Sequence, residues 1–83
     1  MTDPDTPLVP ERLQHLAPGR KLVYLAIRRD PPVDTAEIVA QTGLSGASVR
    51  NAVADLEARG EITVLPVLGD ARGRQYKPDP PPR

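Results

Sequence analysis

Apolar residues recur at helical spacing through the middle of the chain and at strand spacing near its end. Val49, Val53 and Leu56 mark one face of a helix over about residues 45–59, with Ser45 at its cap and Gly60 at its stop. A shorter helix precedes it. It opens at Asp34, where Glu37 three residues on completes a capping-box pattern, and closes at Thr42 before Gly43, which tolerates the left-handed backbone of a sharp stop. Leu44, between the two, is placed to drop into the core. Upstream, Leu22, Val23, Leu25, Ala26 and Ile27 cover a wide apolar arc between Arg20 and Arg29. This predicts a first helix with Lys21, Tyr24 and Arg28 on the opposite, outer stripe. Asp30, Pro31 and Pro32 end it, because the residue before a proline is pushed out of the helical region, and Val33 is then free to contribute a minimal strand.

After Gly60 the pattern changes period. Glu61 to Leu68 (EITVLPVL) is rich in β-branched residues and alternates Ile62 and Val64 with Glu61 and Thr63, while Pro66 confines its far end to an edge or a bulge. Gly69 to Gly73 reads as a polar loop, and Arg74 to Lys77 as a returning strand with Tyr76 turned inward. The expected fold is mainly α with a small β-hairpin (α+β): three core helices and a two-stranded hairpin. Two helices around a tight glycine turn make a helix-turn-helix, whose second helix can enter a DNA major groove.

With 83 residues, the chain has room for one domain. Residues 1–17, with Pro4, Pro7 and Pro10, read as a flexible arm that has a short helix near 11–16; residues 18–77 form the folded unit, and residues 78–83 a Pro-rich tail. The absence of cysteine removes disulfides and thiolate metal sites, and His15 cannot build a metal cluster alone. The amino end lacks the basic start and apolar run of a signal peptide, and no stretch is long enough to span a membrane. A cytoplasmic, nucleoid-associated protein is expected. The formal net charge of zero counts against a nucleic-acid binder, since phosphate neutralisation favours an excess of Lys and Arg. Arg72, Arg74 and Lys77 nevertheless gather near the carboxyl end with only Asp70 among them.

The phrases AEIVAQTGLS, SVRNAVADLEARGEI with its Leu56-Glu57 and Arg59-Gly60 pairs, and GDARGRQY give the stretch from about Leu22 to Tyr76 a resemblance to winged helix-turn-helix regulators of the MarR and ArsR type, including short archaeal and bacterial forms. The resemblance implies a sequence-specific regulator of transcription, a repressor for example, that binds double-stranded DNA. The second helix, about 45–59, would enter the major groove, and the hairpin or wing, 61–77, would lie on backbone or minor groove. The positions it carries over are Ser45, Ala47, Ser48, Arg50 and Asn51 on the recognition helix and Arg72 and Arg74 on the wing. In such wings an Asp-x-Arg pattern often braces an arginine aimed at the minor groove, and Asp70-Ala71-Arg72 fits it.

Residue chemistry points the same way. If Val49, Val53 and Leu56 face inward, Ala47, Arg50, Asn51 and Ala54 face outward, and a small-residue face lets the helix approach base edges closely. Arg50 has the fork that matches guanine O6 and N7, and Asn51 the donor and acceptor that match adenine N6 and N7. Ser45 and Ser48 lie at the positive end of the helix, where hydroxyls and free amides hold phosphate and so position rather than specify. The competing readings are plain: Arg50 a solvated residue near Asp55, Arg72 a loop charge, Arg74 and Lys77 edge-strand gatekeepers.

No phosphate loop, nucleophile-and-base pairing or metal-ligand spacing is present, so an enzyme is not expected and no cofactor is implied. The rival reading is a winged helix that serves as a protein-interaction module without direct DNA binding. Full-length MarR-type proteins carry extra helices for dimerisation and ligand sensing, and ArsR-type metal sensing needs Cys or His clusters. Neither is found in these 83 residues, so no small-molecule effector is expected. A homodimer through residues 8–16 stays open.

Overall fold

The computed structural model describes residues 7–66 and 74–79. After a 3-10 turn at Glu11–Leu13, three helices, α1 (Pro18–Arg29), α2 (Thr35–Thr42) and α3 (Gly46–Ala58), are combined with three strands, β1 (Val33–Asp34), β2 (Ile62–Pro66) and β3 (Arg74–Pro78). Local chemistry sets most of these boundaries. Pro18 occupies the first position of α1, where its missing N–H removes no helical bond. Asp34 caps α2: its carboxylate accepts from the Glu37 N–H at 2.8 Å, and the Glu37 carboxylate accepts from the Asp34 N–H at 3.3 Å. Gly43 ends α2 with φ 74°, a left-handed backbone that a Cβ would strain. Ser45 caps α3.

The strands form one antiparallel sheet in the order β1-β3-β2. The hairpin expected from the sequence is therefore joined by Val33 and Asp34, which pair with Tyr76 and Gln75. Strand β3 is central, and Pro66 lies on the edge strand β2, where its missing N–H interrupts no ladder on the open side. The expected loop from Gly69 to Gly73, with Asp70 and Arg72, falls outside the described residues. So do residues 1–6, 67, 68 and 80–83.

One core lies between the helices and the inner face of the sheet. It gathers Val23, Tyr24, Ala26 and Ile27 of α1, Ile38 of α2, Val49, Ala52, Val53 and Leu56 of α3, and Val33, Ile62 and Tyr76 of the sheet. Tyr76 faces inward as its alternation predicts, and its hydroxyl lies 3.0 Å from Thr35 Oγ1, which fastens β3 to the start of α2. Leu44 packs against this core from the turn between α2 and α3. Among the described residues, no helix is long and apolar enough to cross a membrane.

Two expectations are overturned. The outer stripe assigned to Lys21, Tyr24 and Arg28 is wrong for Tyr24, which is only 1% exposed, whereas Leu22 of the supposed apolar arc is 42% exposed. Apolar residues on α1 span more than half the helix, so their spacing does not set its rotational phase. A large aromatic ring gains more from burial than a leucine does, provided its hydroxyl finds a partner. Arg28 supplies one: Nη1 donates to the Tyr24 hydroxyl at 2.9 Å, and its guanidinium carbon lies 5.6 Å from the ring centroid.

The second correction concerns residues 7–17, expected as part of a flexible arm. Leu13 and Leu16 are buried in the core, and the helix expected near 11–16 is realised as the 3-10 turn. Backbone bonds from Leu13 N–H to the Pro10 carbonyl (2.9 Å) and from Leu16 N–H to the Leu13 carbonyl (3.0 Å) tighten the segment. Arg12 clamps it to the sheet through a two-point ion pair with Glu61, at 2.6 and 2.7 Å. Burying two leucines is worth about 1.5–3 kcal/mol each, a gain that so small a domain has few other ways to obtain.

Candidate nucleic-acid interface

Helix α3 is amphipathic in the sense needed to present a polar face. Val49, Ala52, Val53 and Leu56 are buried, while Ala47, Ser48, Arg50, Asn51 and Ala54 are exposed. The orientation is held by the packing of α3 against both α1 and α2, and by an ionic bracket at its far end. There Asp55 accepts from Arg20 Nε at 3.1 Å and from Arg59 Nε at 3.0 Å. Its carboxyl is held below the ordinary value, first by the hydrogen bond from Arg59 and then by the nearby positive charges, against a cost of desolvation. Asp55 is thus engaged by Arg20 and Arg59, and Arg50 is exposed, as expected both of a solvated residue and of one that contacts DNA.

At the amino end the two serines divide their roles. Ser45 Oγ accepts from the Ser48 N–H at 3.1 Å and lies 3.0 Å from Ser48 Oγ, to which it donates. Capping uses the Ser45 lone pair and its proton, while the Ser48 hydroxyl proton is left available to an incoming acceptor. Ala47 exposes a single methyl beside them.

The sheet completes the face. Arg74 begins β3 opposite Pro66, is exposed, and shares a groove of about 640 Å³ with Arg50, Ala54 and Glu57 of α3 and with Val64 of β2. Asp34, Thr35 and Ala36, at the start of α2, also line it. The structure thus brings Arg50 and Arg74 to one concavity although 24 positions separate them in sequence. Ser45, Ala47, Ser48 and Asn51 line no part of that groove but belong to the same exposed helix. Arg72 lies outside the described residues.

Sequence reasoning missed the two carboxylates of this groove, Asp34 and Glu57. Asp34 had been given only its capping role. Glu57 was findable, since it follows Arg50 by seven residues and so falls two helical turns along the same stripe. Asp34 and Glu57 thus line the same groove as Arg50 and Arg74, so that groove carries charge of both signs.

The base of the wing is braced from the amino-terminal side. Glu61 has a side chain only 12% exposed, and the hydrogen bond from Arg12 holds its carboxyl below the ordinary value despite the opposing effect of burial. The Asp79 N–H donates to the Glu61 carbonyl at 3.1 Å, and Thr63 Oγ1 donates to the Asp79 carboxylate. These contacts fix the start of β2 against the end of β3, and with it the angle at which the hairpin leaves the helices.

Comparison with known proteins agrees with this architecture. Among curated proteins none matches the chain. Solved structures do. BpsR of Bordetella bronchiseptica, whose DNA binding is regulated by 6-hydroxynicotinic acid, aligns with a TM-score of 0.75 and 23% identity over 88% of this chain and 54% of its own. The apo, heme-free form of PefR aligns with a TM-score of 0.66 and 19% identity over 82% of this chain and 62% of its own. The chain thus spans a little over half the length of these neighbours, and at such identities the likeness is one of fold. Their small-molecule ligands leave the expectation of no effector without support. The model of the MarR family matches residues 22–73, well over half of the chain, from within α1 to the position before β3. The winged helix assembled by α1, α2, α3 and the three-stranded sheet therefore belongs to a member of the MarR family.

Proposed function

We propose that this protein is a sequence-specific regulator that binds double-stranded DNA through α3 in the major groove and through the wing on the adjacent backbone or minor groove. MarR-family transcription regulators are not enzymes, and neither is this chain. The observation that carries the reading is the exposed face of α3, where Ala47, Ser48, Arg50, Asn51 and Ala54 are exposed while the opposite face is buried, with Arg74 lining the same groove as Arg50. Small residues allow close approach, Arg50 and Asn51 carry the donor and acceptor sets that read guanine and adenine, and the Ser48 hydroxyl and the amino end of α3 suit a phosphate. Ser45 contributes by shaping that end. Arg72 and Arg74 supply charge on the wing side.

Selection of bound duplexes from a random pool, followed by anisotropy titration of the winner and of a scrambled duplex at two salt concentrations, tests the reading. A preferred site and a steep loss of affinity with salt are expected. Absence of binding to any duplex at low salt would refute it. Glu57 and Asp34 in the groove favour one rival, a protein-interaction module whose partner presents basic groups. A homodimer on a two-fold symmetric site is part of the proposal: the selected sequence should be a pseudo-palindrome if two copies bind together. Repeating the titration with 6-hydroxynicotinic acid and with heme asks whether the neighbours' ligands act on this chain.

A further inference from the structure

We infer that Gly46 determines which base step Arg50 addresses, an inference that rests on the docking of α3 proposed above. Arg50 stands one turn after Gly46, and its guanidinium folds back along the helix to lie over that glycine. A Cβ built on Gly46 would stand 3.2 Å from Arg50 Nη1, 3.9 Å from Cζ and 4.0 Å from Nη2. The first of these is tighter than ordinary van der Waals contact: a methyl group at 46 would make the guanidinium give by a few tenths of an ångström, and a longer side chain would compete with it for the same space.

No other feature explains either partner. Among the described residues the ion pairs are Arg12 with Glu61 and Arg20 and Arg59 with Asp55, so no carboxylate draws Arg50 to this place. Among the described residues the positive-φ glycines are Gly43 and Gly60, so Gly46 is not required by its backbone. Glycine is also a poorer helix former than alanine. What remains is the space it leaves.

The fold-back has a geometric consequence. Helical side chains lean toward the amino end, and four residues at 1.5 Å rise carry the charge about 6 Å in that direction. Projected on the duplex axis, that is at most about two base steps at about 3.4 Å each. The amino end of a recognition helix is the part that reaches base edges. Gly46 is thus a positioning residue: it lets an arginine rooted in the second turn act from the level of the first. A side chain at 46 displaces the guanidinium toward solvent or the wing, where it meets a different base pair or a phosphate.

The test uses the full chain and a randomised duplex pool, followed by competition titrations on the selected site with each base pair changed in turn. Arg50→Ala is expected to lose a preference of about 5- to 150-fold at one base pair. Gly46→Leu should lose the preference at that same base pair, or move it by one or two steps, and Gly46→Ala should weaken it. Adding Gly46→Leu to Arg50→Ala should change that preference less than about twofold, because the arginine through which the substitution acts is gone. Thermal unfolding checks that each variant is folded; should Gly46→Leu fail, Gly46→Ala carries the test, since it asks the guanidinium to give by only a few tenths of an ångström. An Arg50-dependent preference that stays at its original base pair and strength in a folded Gly46 variant overturns the inference and leaves the regulator reading standing. An equal effect of Gly46→Leu with and without Arg50 also overturns it. Failure of the wild-type protein to bind any duplex overturns both.

Discussion

The burial of Tyr24 gives the sharpest test of the fold, because helical periodicity and tertiary structure rank it oppositely. Placed on an outer stripe, Tyr24→Ala would change stability by no more than about 0.5 kcal/mol, as surface substitutions do. In the structure the ring is 1% exposed within the core, and truncation of a buried aromatic costs about 3–5 kcal/mol. A chain of 83 residues at about 0.05–0.15 kcal/mol per residue has about 4–12 kcal/mol in all, so Tyr24→Ala removes about a quarter of it or more. Tyr24→Phe isolates the hydroxyl. It loses the 2.9 Å bond from Arg28, whose guanidinium is exposed and can turn to water, so about 0.5–1.5 kcal/mol is expected. Leu22→Ala serves as the control: with Leu22 42% exposed, it should cost less than either a buried leucine or Tyr24→Ala, at about 1 kcal/mol or below. Urea unfolding followed by far-UV circular dichroism yields the three values, and equal m-values confirm that the same surface is exposed in each. A larger loss for Leu22→Ala than for Tyr24→Ala would show that α1 is rotated from the orientation described.

Three further outcomes are expected. Arg50→Ala and Asn51→Ala should each relax preference at one base pair by about 1–3 kcal/mol in competition titrations, with unfolding midpoints unchanged, since both side chains lie on the exposed face of α3. Glu61, whose carboxyl Arg12 holds below its ordinary value, contributes stability that is fully present above the unfolded value of about 4.3 and is lost as pH falls through the lower folded one. Urea midpoints measured through that acid window should fall less steeply for Glu61→Gln than for the wild type; identical slopes would remove the pair from the account of acid stability. Arg72→Ala, at the wing position singled out by sequence, should lower affinity for specific and scrambled duplexes alike and reduce the salt slope by about one unit in a salt-series titration, whereas unchanged binding would make it a solvated loop charge.

What the sequence determined by itself lies within a few residues along the chain. The capping box of Asp34 and Glu37, the left-handed stop at Gly43, the cap at Ser45 and the inward face of Val49, Val53 and Leu56 each depend on groups one or two turns apart. The alternation that turns Tyr76 inward depends on its own strand. The helix-turn-helix and the exposure of Arg50 and Asn51 were legible for the same reason. Tertiary structure decided whatever depends on partners distant in sequence. Residues Val33 and Asp34 become a strand only because β3 returns beside them, more than forty positions later. Two leucines among prolines and polar residues carry no periodic signal, yet Leu13 and Leu16 lie in the core, beside a segment that Arg12 ties to the distant Glu61. The phase of α1 was ambiguous because apolar residues cover most of its surface, and packing resolved it in favour of Tyr24, which offers the larger area to bury and a hydroxyl that Arg28 can satisfy. The groove that joins Arg50 to Arg74, and sets Asp34 and Glu57 against them, exists only where α3, the start of α2 and the sheet converge.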